Sequence, residues 1–170
     1  MSSPRVFIVD VDGVMTTGQF LYSSRGKAFK IFGPDDSEAL SLLRRHLEVR
    51  FVSSDKRGFK ISRARIVRDM GFQLDLVDTF ERSEWIGAKF RLEEVVYMGD
   101  GIFDHLVMEK VLYAIAPQNG DALAKLTADY VTERAGGDRA VSEACLHISE
   151  KFFNSDRNGT LDSNNLRSSK

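Results

Sequence analysis

Short apolar runs recur along the chain, several of them closing at an acidic or hydroxyl side chain. The runs at 5–9, 49–53, 95–98 and 113–116 are rich in β-branched and aromatic residues and only four or five residues long. That length and composition predict strands buried on both faces. Shorter runs at 74–77 and 130–131 predict two more. Between the strands, apolar positions recur at helical spacing. Over 36–47 they are Ala39, Leu40, Leu42, Leu43 and Leu47, with Asp35 or Asp36 available as N-cap. Helices are also predicted over 61–70, 83–90, 104–111, 121–126 and 139–153. Strands alternating with helices predict an α/β fold with a doubly wound parallel sheet. Ligands of such sheets bind beyond the carboxyl ends of the strands. One segment departs from the alternation. Short strands around 19–22 and 28–32, joined by the polar turn Ser23-Ser24-Arg25-Gly26-Lys27, predict a β-hairpin flap directly after the first strand.

The chain has 170 residues, which fits one domain with one real core. We assign that domain to 1–153 and read 154–170 as a polar tail without a fixed structure. Net charge is −1 and the signs are mixed, so no concentrated basic footprint for nucleic acid is present. Lys56, Arg57, Lys60, Arg63, Arg65 and Arg68 are spaced as a solvated helix face rather than a phosphate-attracting surface. The single cysteine, Cys145, cannot form an intrachain disulfide and sits in an apolar helical stretch that reads as core. No signal-like start and no run of membrane-spanning length occur, so the expectation is a cytoplasmic protein without a membrane partner. Within the tail, Asn154, Asp156, Asn158 and Asp162 have the oxygen spacing of a calcium loop. Asn165 stands where that loop needs a bidentate glutamate, so the disordered reading is preferred.

Candidate chemistry concentrates at strand ends. Asp10-Val11-Asp12-Gly13 puts two carboxylates two residues apart, just past the first strand, where Gly13 lets the chain turn. Like charges this close need a cation or a proton between them. A calcium loop beginning at Asp10 is rejected, because its twelfth position would be Leu21. The run at 95–98 is followed by Gly99-Asp100 and then Asp104. If the two strands are neighbours, Asp10 and Asp100 offer the hard oxygen ligands that Mg²⁺ prefers. Asp104 either supports the metal site or caps the following helix. Ser53 ends a third strand, and its hydroxyl with the N–H of Ser54 could hold a phosphate oxygen. These residues suit phosphoryl transfer. One carboxylate can act as nucleophile, a neighbouring one can protonate the leaving oxygen and then activate water, and a metal shields the charge that would repel the two reactants.

The pattern resembles the haloacid dehalogenase (HAD) superfamily. Its DxDG motif appears as Asp10-Val11-Asp12-Gly13, and its GDxxxD motif as Gly99-Asp100-Gly101-Ile102-Phe103-Asp104. The resemblance implies that Asp10 is nucleophile and metal ligand, and that Asp12 is the acid and base and gives its backbone carbonyl to Mg²⁺. It implies that Asp100 is a ligand, supported by Asp104. The hairpin, the lack of a large cap, Phe29-Lys30-Ile31, Tyr130-Val131-Thr132 and the segment 136–141 resemble a narrower group over 5–153. That group is the 3-deoxy-manno-octulosonate 8-phosphate phosphatases, together with phosphatase-like domains of acylneuraminate cytidylyltransferases. It implies a homotetramer in which neighbours close the site. Ser53-Ser54-Asp55 stands where the group has Thr-Gly-Arg, and Gly101 where a second acid often follows. For the superfamily's phosphate-binding lysine the candidates are Arg82 and Lys89. The expected function is Mg²⁺-dependent hydrolysis, through an aspartyl-phosphate, of a small phosphorylated sugar or sugar acid. The competing expectation is a catalytically weak module kept for oligomerisation or partner binding. His46, His105, His147 and Trp85 read as structural.

Overall fold

The computed structural model describes residues 3–153. The calcium-loop spacing and the tail that carries it therefore lie outside the described residues. Six parallel strands form one sheet: β1 (Val6–Asp10), β4 (Glu48–Ser53), β5 (Gln73–Leu76), β6 (Val95–Met98), β7 (Tyr113–Ala116) and β8 (Tyr130–Val131). Their order is β5-β4-β1-β6-β7-β8. The chain therefore winds outward from β1 in one direction and then returns to wind outward in the other. The crevice between β1 and β6 is the switch point at which such sheets bind ligands.

Alternating residues of β1 serve two cores. Phe7 and Val9 pack with Leu40, Phe51, Ile66 and Ile148 on one face. Val6 and Ile8 pack with Val52, Ile86, Tyr97 and Ala116 on the other. All five β1 side chains are buried, which explains the unbroken apolar run in place of an apolar–polar alternation. The covering helices are α1 (Asp36–Leu43), α2 (Phe59–Arg63), α3 (Arg82–Lys89), α4 (His105–Met108), α5 (Ala122–Thr127) and α6 (Ala140–Phe153). After α2 the chain continues through wider turns over Ala64–Asp69, where the N–H of Met70 reaches back to Arg65. None of the helices among the described residues is long and apolar enough to cross a membrane.

The hairpin is β2 (Thr16–Ser23) paired antiparallel with β3 (Gly26–Phe32). A later segment clamps its root. The N–H of Gly137 donates to the Val14 carbonyl at 3.0 Å. Gly136 lies so close to the loop after β1 that a Cβ there would overlap the Gly13 carbonyl. A residue with a side chain cannot occupy that position without moving the loop.

The capping expectation for α1 needs correction. Asp35 occupies the N-cap position at φ 65°, but its side chain makes no capping bond. It pairs instead with Arg139 Nε at 2.6 Å. Asp36 accepts the Ser142 N–H at 2.8 Å, so both acids serve the start of α6 rather than their own helix. Asp36 is 1% exposed, and its second oxygen has no hydrogen-bond partner among the described residues. Burial raises its carboxyl to about 6, against the lowering effect of the Ser142 N–H.

A carboxyl raised on folding holds a proton that the unfolded chain releases. Its stabilising contribution is full below the unfolded value of 3.8 and is lost as pH rises through about 6. The expected result is that wild type, relative to Asp36→Asn, loses on the order of 2 kcal/mol across that window. Chemical denaturation at a series of pH values checks this. Parallel pH profiles for the two proteins would refute it.

Candidate active site

Strands β1 and β6 are direct neighbours, with Val9 opposite Met98. Their carboxyl ends therefore bring Asp10 and Asp100 into one crevice. Oxygens of Asp10, Asp100 and Asp104 all lie within 4.8 Å of one another. Gly13 adopts φ 89°, and a Cβ there would overlap the Asp100 carboxylate. The glycine after the paired acids thus both turns the chain and makes room for the third acid.

One buried cation faces this cluster. Arg82, at the start of α3, is 2% exposed. Its Nη1 lies 2.9 Å from Asp104 Oδ1 and 3.3 Å from Asp10 Oδ2. It also donates to the Tyr97 hydroxyl at 2.8 Å, and that hydroxyl donates to Asp104 Oδ1 at 2.6 Å. The other Asp104 oxygen accepts the Gly101 N–H at 2.8 Å. Asp104 is therefore engaged on both oxygens and acts as the brace of the site. Asp10 accepts the Val11 N–H at 2.9 Å on its other oxygen. Asp100 makes no side-chain bond to another residue among the described ones, and the Asp121 N–H holds its backbone carbonyl at 2.8 Å.

Three carboxylates against one guanidinium leave an excess of negative charge in a buried place. Burial, only partly offset by Arg82 and reinforced by Asp104, raises Asp10 to about 7. Burial, then repulsion from Asp10 and Asp104, raises Asp100 to about 8. Arg82 responds the other way: burial works against its charge, but Asp10, Tyr97 and Asp104 hold its proton more firmly than usual. A divalent cation relieves this excess, and an all-oxygen donor set suits a hard one such as Mg²⁺. The residues present fit that ion, with Asp10 and Asp100 as the most open donors.

The carboxylate of Asp12 is turned elsewhere. It meets the ammonium of Lys30, from β3, at 2.7 Å through Oδ1 and 2.9 Å through Oδ2. Ser53 donates to the same Oδ2 at 3.2 Å and is fully buried. Ser54 follows it at the strand end and is exposed. Asp55 is held by Lys27 at 2.6 Å, Lys30 at 2.9 Å and the Gly58 N–H at 3.0 Å. Burial would raise it, but these partners bring it down to about 2.

The structure thus gathers Asp10, Asp12, Ser53, Arg82, Asp100 and Asp104, but not Lys89. Lys89 ends α3 on the surface, over the Trp85 ring, seven residues along the helix from Arg82 and so about 10 Å away. Of the two basic candidates on α3, Arg82 alone meets the acids. His105 is turned aside as expected, with Nδ1 on the Ile102 carbonyl. Sequence reasoning missed Lys30 and Tyr97. A buried tyrosine next to Gly99-Asp100 needs a hydroxyl partner, which was a usable signal.

A doubly wound sheet with paired aspartates at the end of β1 and Asp100 and Asp104 beyond β6 has the layout of a phosphatase of HAD type. No family model matches the chain. The 3-deoxy-D-manno-octulosonate 8-phosphate phosphatase KdsC of Salmonella typhi is 32% identical over 151 residues, covering 83% of this chain and 77% of that protein. The chain belongs to the KdsC family of HAD phosphatases. Among solved structures, a HAD subfamily III A hydrolase from Legionella pneumophila superposes with a TM-score of 0.77 at 26% identity, covering 86% of this chain and 82% of that one. The Moraxella catarrhalis 3-deoxy-D-manno-octulosonate 8-phosphate phosphatase, in complex with magnesium, phosphate and KDO, shares the fold. It has a TM-score of 0.76 at 24% identity, covering 86% of each chain.

Removing the Arg82 guanidinium leaves Asp10 and Asp104 without a cationic partner among the described residues. In metal-free buffer, Arg82→Met is expected to lose about 3 kcal/mol of stability at pH 8. The deficit shrinks as pH falls toward 5, because Asp10, raised to about 7 chiefly by burial, is then protonated and no longer needs the cation. Melts of both proteins with EDTA check this, and coincident curves at pH 8 would refute it.

Proposed function

We propose that this chain hydrolyses a phosphomonoester of a small sugar or sugar acid, with 3-deoxy-D-manno-octulosonate 8-phosphate as the first substrate to test. The observation that carries this reading is Asp10 and Asp100 side by side at the switch point, with Arg82 3.3 Å from Asp10. The name of the KdsC relative, at 32% identity, supports the substrate class.

Asp10 attacks the phosphorus, the bond to the leaving oxygen breaks, and an aspartyl-phosphate forms. Asp12 gives a proton to the leaving oxygen and later takes one from the water that frees Asp10. Arg82 holds the transferring phosphoryl group. Its Nε is buried with no acceptor among the described residues, which leaves a donor for a phosphate oxygen. Ser53 and Ser54 hold the phosphate from the β4 side. Asp10, the backbone carbonyl of Asp12 and Asp100 hold Mg²⁺, with Asp104 bracing them. The ion supplies the positive charge that lets an anionic nucleophile approach an anionic ester.

The hairpin exposes Leu21, Tyr22, Phe29 and Ile31. That apolar surface supports a homotetramer in which neighbouring chains cover the hairpin. Light scattering tests this part, with a tetramer's mass expected and a monomer's mass contradicting it.

For the reaction, the assay is phosphate release from a panel of sugar phosphates, with Mg²⁺ or EDTA. Release is expected only with the metal, and Asp10→Asn should lower it by at least about 10³-fold. If folded wild type releases phosphate from none of the compounds, the chain is instead a binding module.

A further inference from the structure

The side chain of Lys30 is 0% exposed, while that of Asp12 is 19% exposed. A buried ammonium is tolerated only when its donors are matched. Lys30 donates hydrogen bonds to Asp12 Oδ2 (2.9 Å) and Ser62 (2.8 Å), and its ammonium lies within ion-pair distance of Asp12 Oδ1 (2.7 Å) and Asp55 (2.9 Å). Each of these contacts is with the protein itself, so the group is engaged with the enzyme's own acids.

The lysine is itself held firmly. Asp55 is fixed by Lys27 and by the Gly58 N–H. Gly58 packs so closely that a Cβ there would come within 2.6 Å of Lys30 Cε. Lys27 lies 3.4 Å from the centre of the Phe20 ring, on the facing strand of the hairpin. β2, β3, the loop after β4 and the start of α2 thus converge on one nitrogen. That nitrogen donates to Asp12 Oδ2 and lies 2.7 Å from Oδ1, so both carboxylate oxygens stand against one fixed charge.

We infer that Lys30 is a positioning residue for the phosphatase reaction: from the hairpin, it fixes the Asp12 carboxylate in the orientation that delivers a proton to the leaving oxygen. This rests on the reading of Asp12 as acid and base. A carboxylate on a loop such as that after β1 can otherwise turn about its side-chain bonds. An ion pair to both oxygens removes that freedom before substrate arrives, which is the preorganisation that proton transfer needs. The hairpin flap then acts as part of the acid's mounting.

The consequence depends on the leaving group. A sugar alkoxide is a poor leaving group and needs the proton, whereas 4-nitrophenolate departs without one. The value of kcat/KM reports the transfer to Asp10 alone and is blind to the later hydrolysis of the aspartyl-phosphate. The experiment measures kcat/KM for 3-deoxy-D-manno-octulosonate 8-phosphate and for 4-nitrophenyl phosphate, with Mg²⁺, in wild type, Lys30→Gln, Lys30→Arg and Asp12→Asn. Lys30→Gln is expected to lower the sugar phosphate value about 10- to 100-fold and the aryl phosphate value less than about 3-fold. Asp12→Asn should show the same selectivity with a larger loss. Lys30→Arg, which keeps the charge but moves the donors, should fall between wild type and Lys30→Gln, and it carries the test if Lys30→Gln does not fold. Equal losses on both substrates would mean that Lys30 only holds the hairpin or the phosphate, and would overturn the inference. So would unchanged values in both Lys30 variants. If Asp12→Asn itself lacks the selectivity, Asp12 is not the acid and the premise falls, separately from any result at Lys30.

Discussion

Burying carboxylates is the constraint around which this molecule is arranged. Asp10, Asp100 and Asp104 meet where two parallel strands end, and among the described residues the only guanidinium that reaches them is Arg82, drawn in from the first turn of α3. Much of the neighbourhood follows from that. Tyr97 points its hydroxyl into the cluster from within the sheet, and Gly101 and Val11 turn their N–H groups toward the acids. Even so, negative charge remains in excess, and Asp10 and Asp100 are pushed toward neutrality. A protein of this design is incomplete without a cation, and that incompleteness is what makes it able to take one.

Asp12 is treated differently from its neighbour two residues away. Its charge is balanced by Lys30, in a second cluster where two lysines face two aspartates. Separating the two clusters separates two tasks. Asp10 sits among acids that call for a metal, whereas Asp12 sits against a fixed cation and needs none. One short turn of chain can then supply two carboxylates of different character.

Much of this was legible in the sequence. The apolar runs gave every strand of the sheet within a residue or so, most plainly for β1, β6 and β7, which are buried on both faces. The acids past β1 and β6 were legible too, since their strands end where the acids begin. Helix ends were less so: the predicted 36–47 helix stops at Leu43, and its acids turned out to serve α6, far along the chain. Between Arg82 and Lys89, spacing could not decide, because only the packing of α3 shows which end faces the crevice. Lys30 was hidden for a related reason. In β3 it alternates with Phe29 and Ile31, and the usual expectation puts the apolar residues inside. Here Phe29 and Ile31 are exposed and the lysine is buried. Nothing local in the sequence announces that inversion.

The clamp of Gly136 and Gly137 on the loop after β1 joins residues more than a hundred positions apart. The loop that carries Asp12 and Gly13 is thus shaped by a segment remote from it in sequence. A side chain introduced at Gly136 would meet the Gly13 carbonyl, so a change there reaches the crevice without replacing any residue of it. Tolerance to substitution at Gly136 is therefore set by the loop after β1 rather than by its own surroundings in the chain.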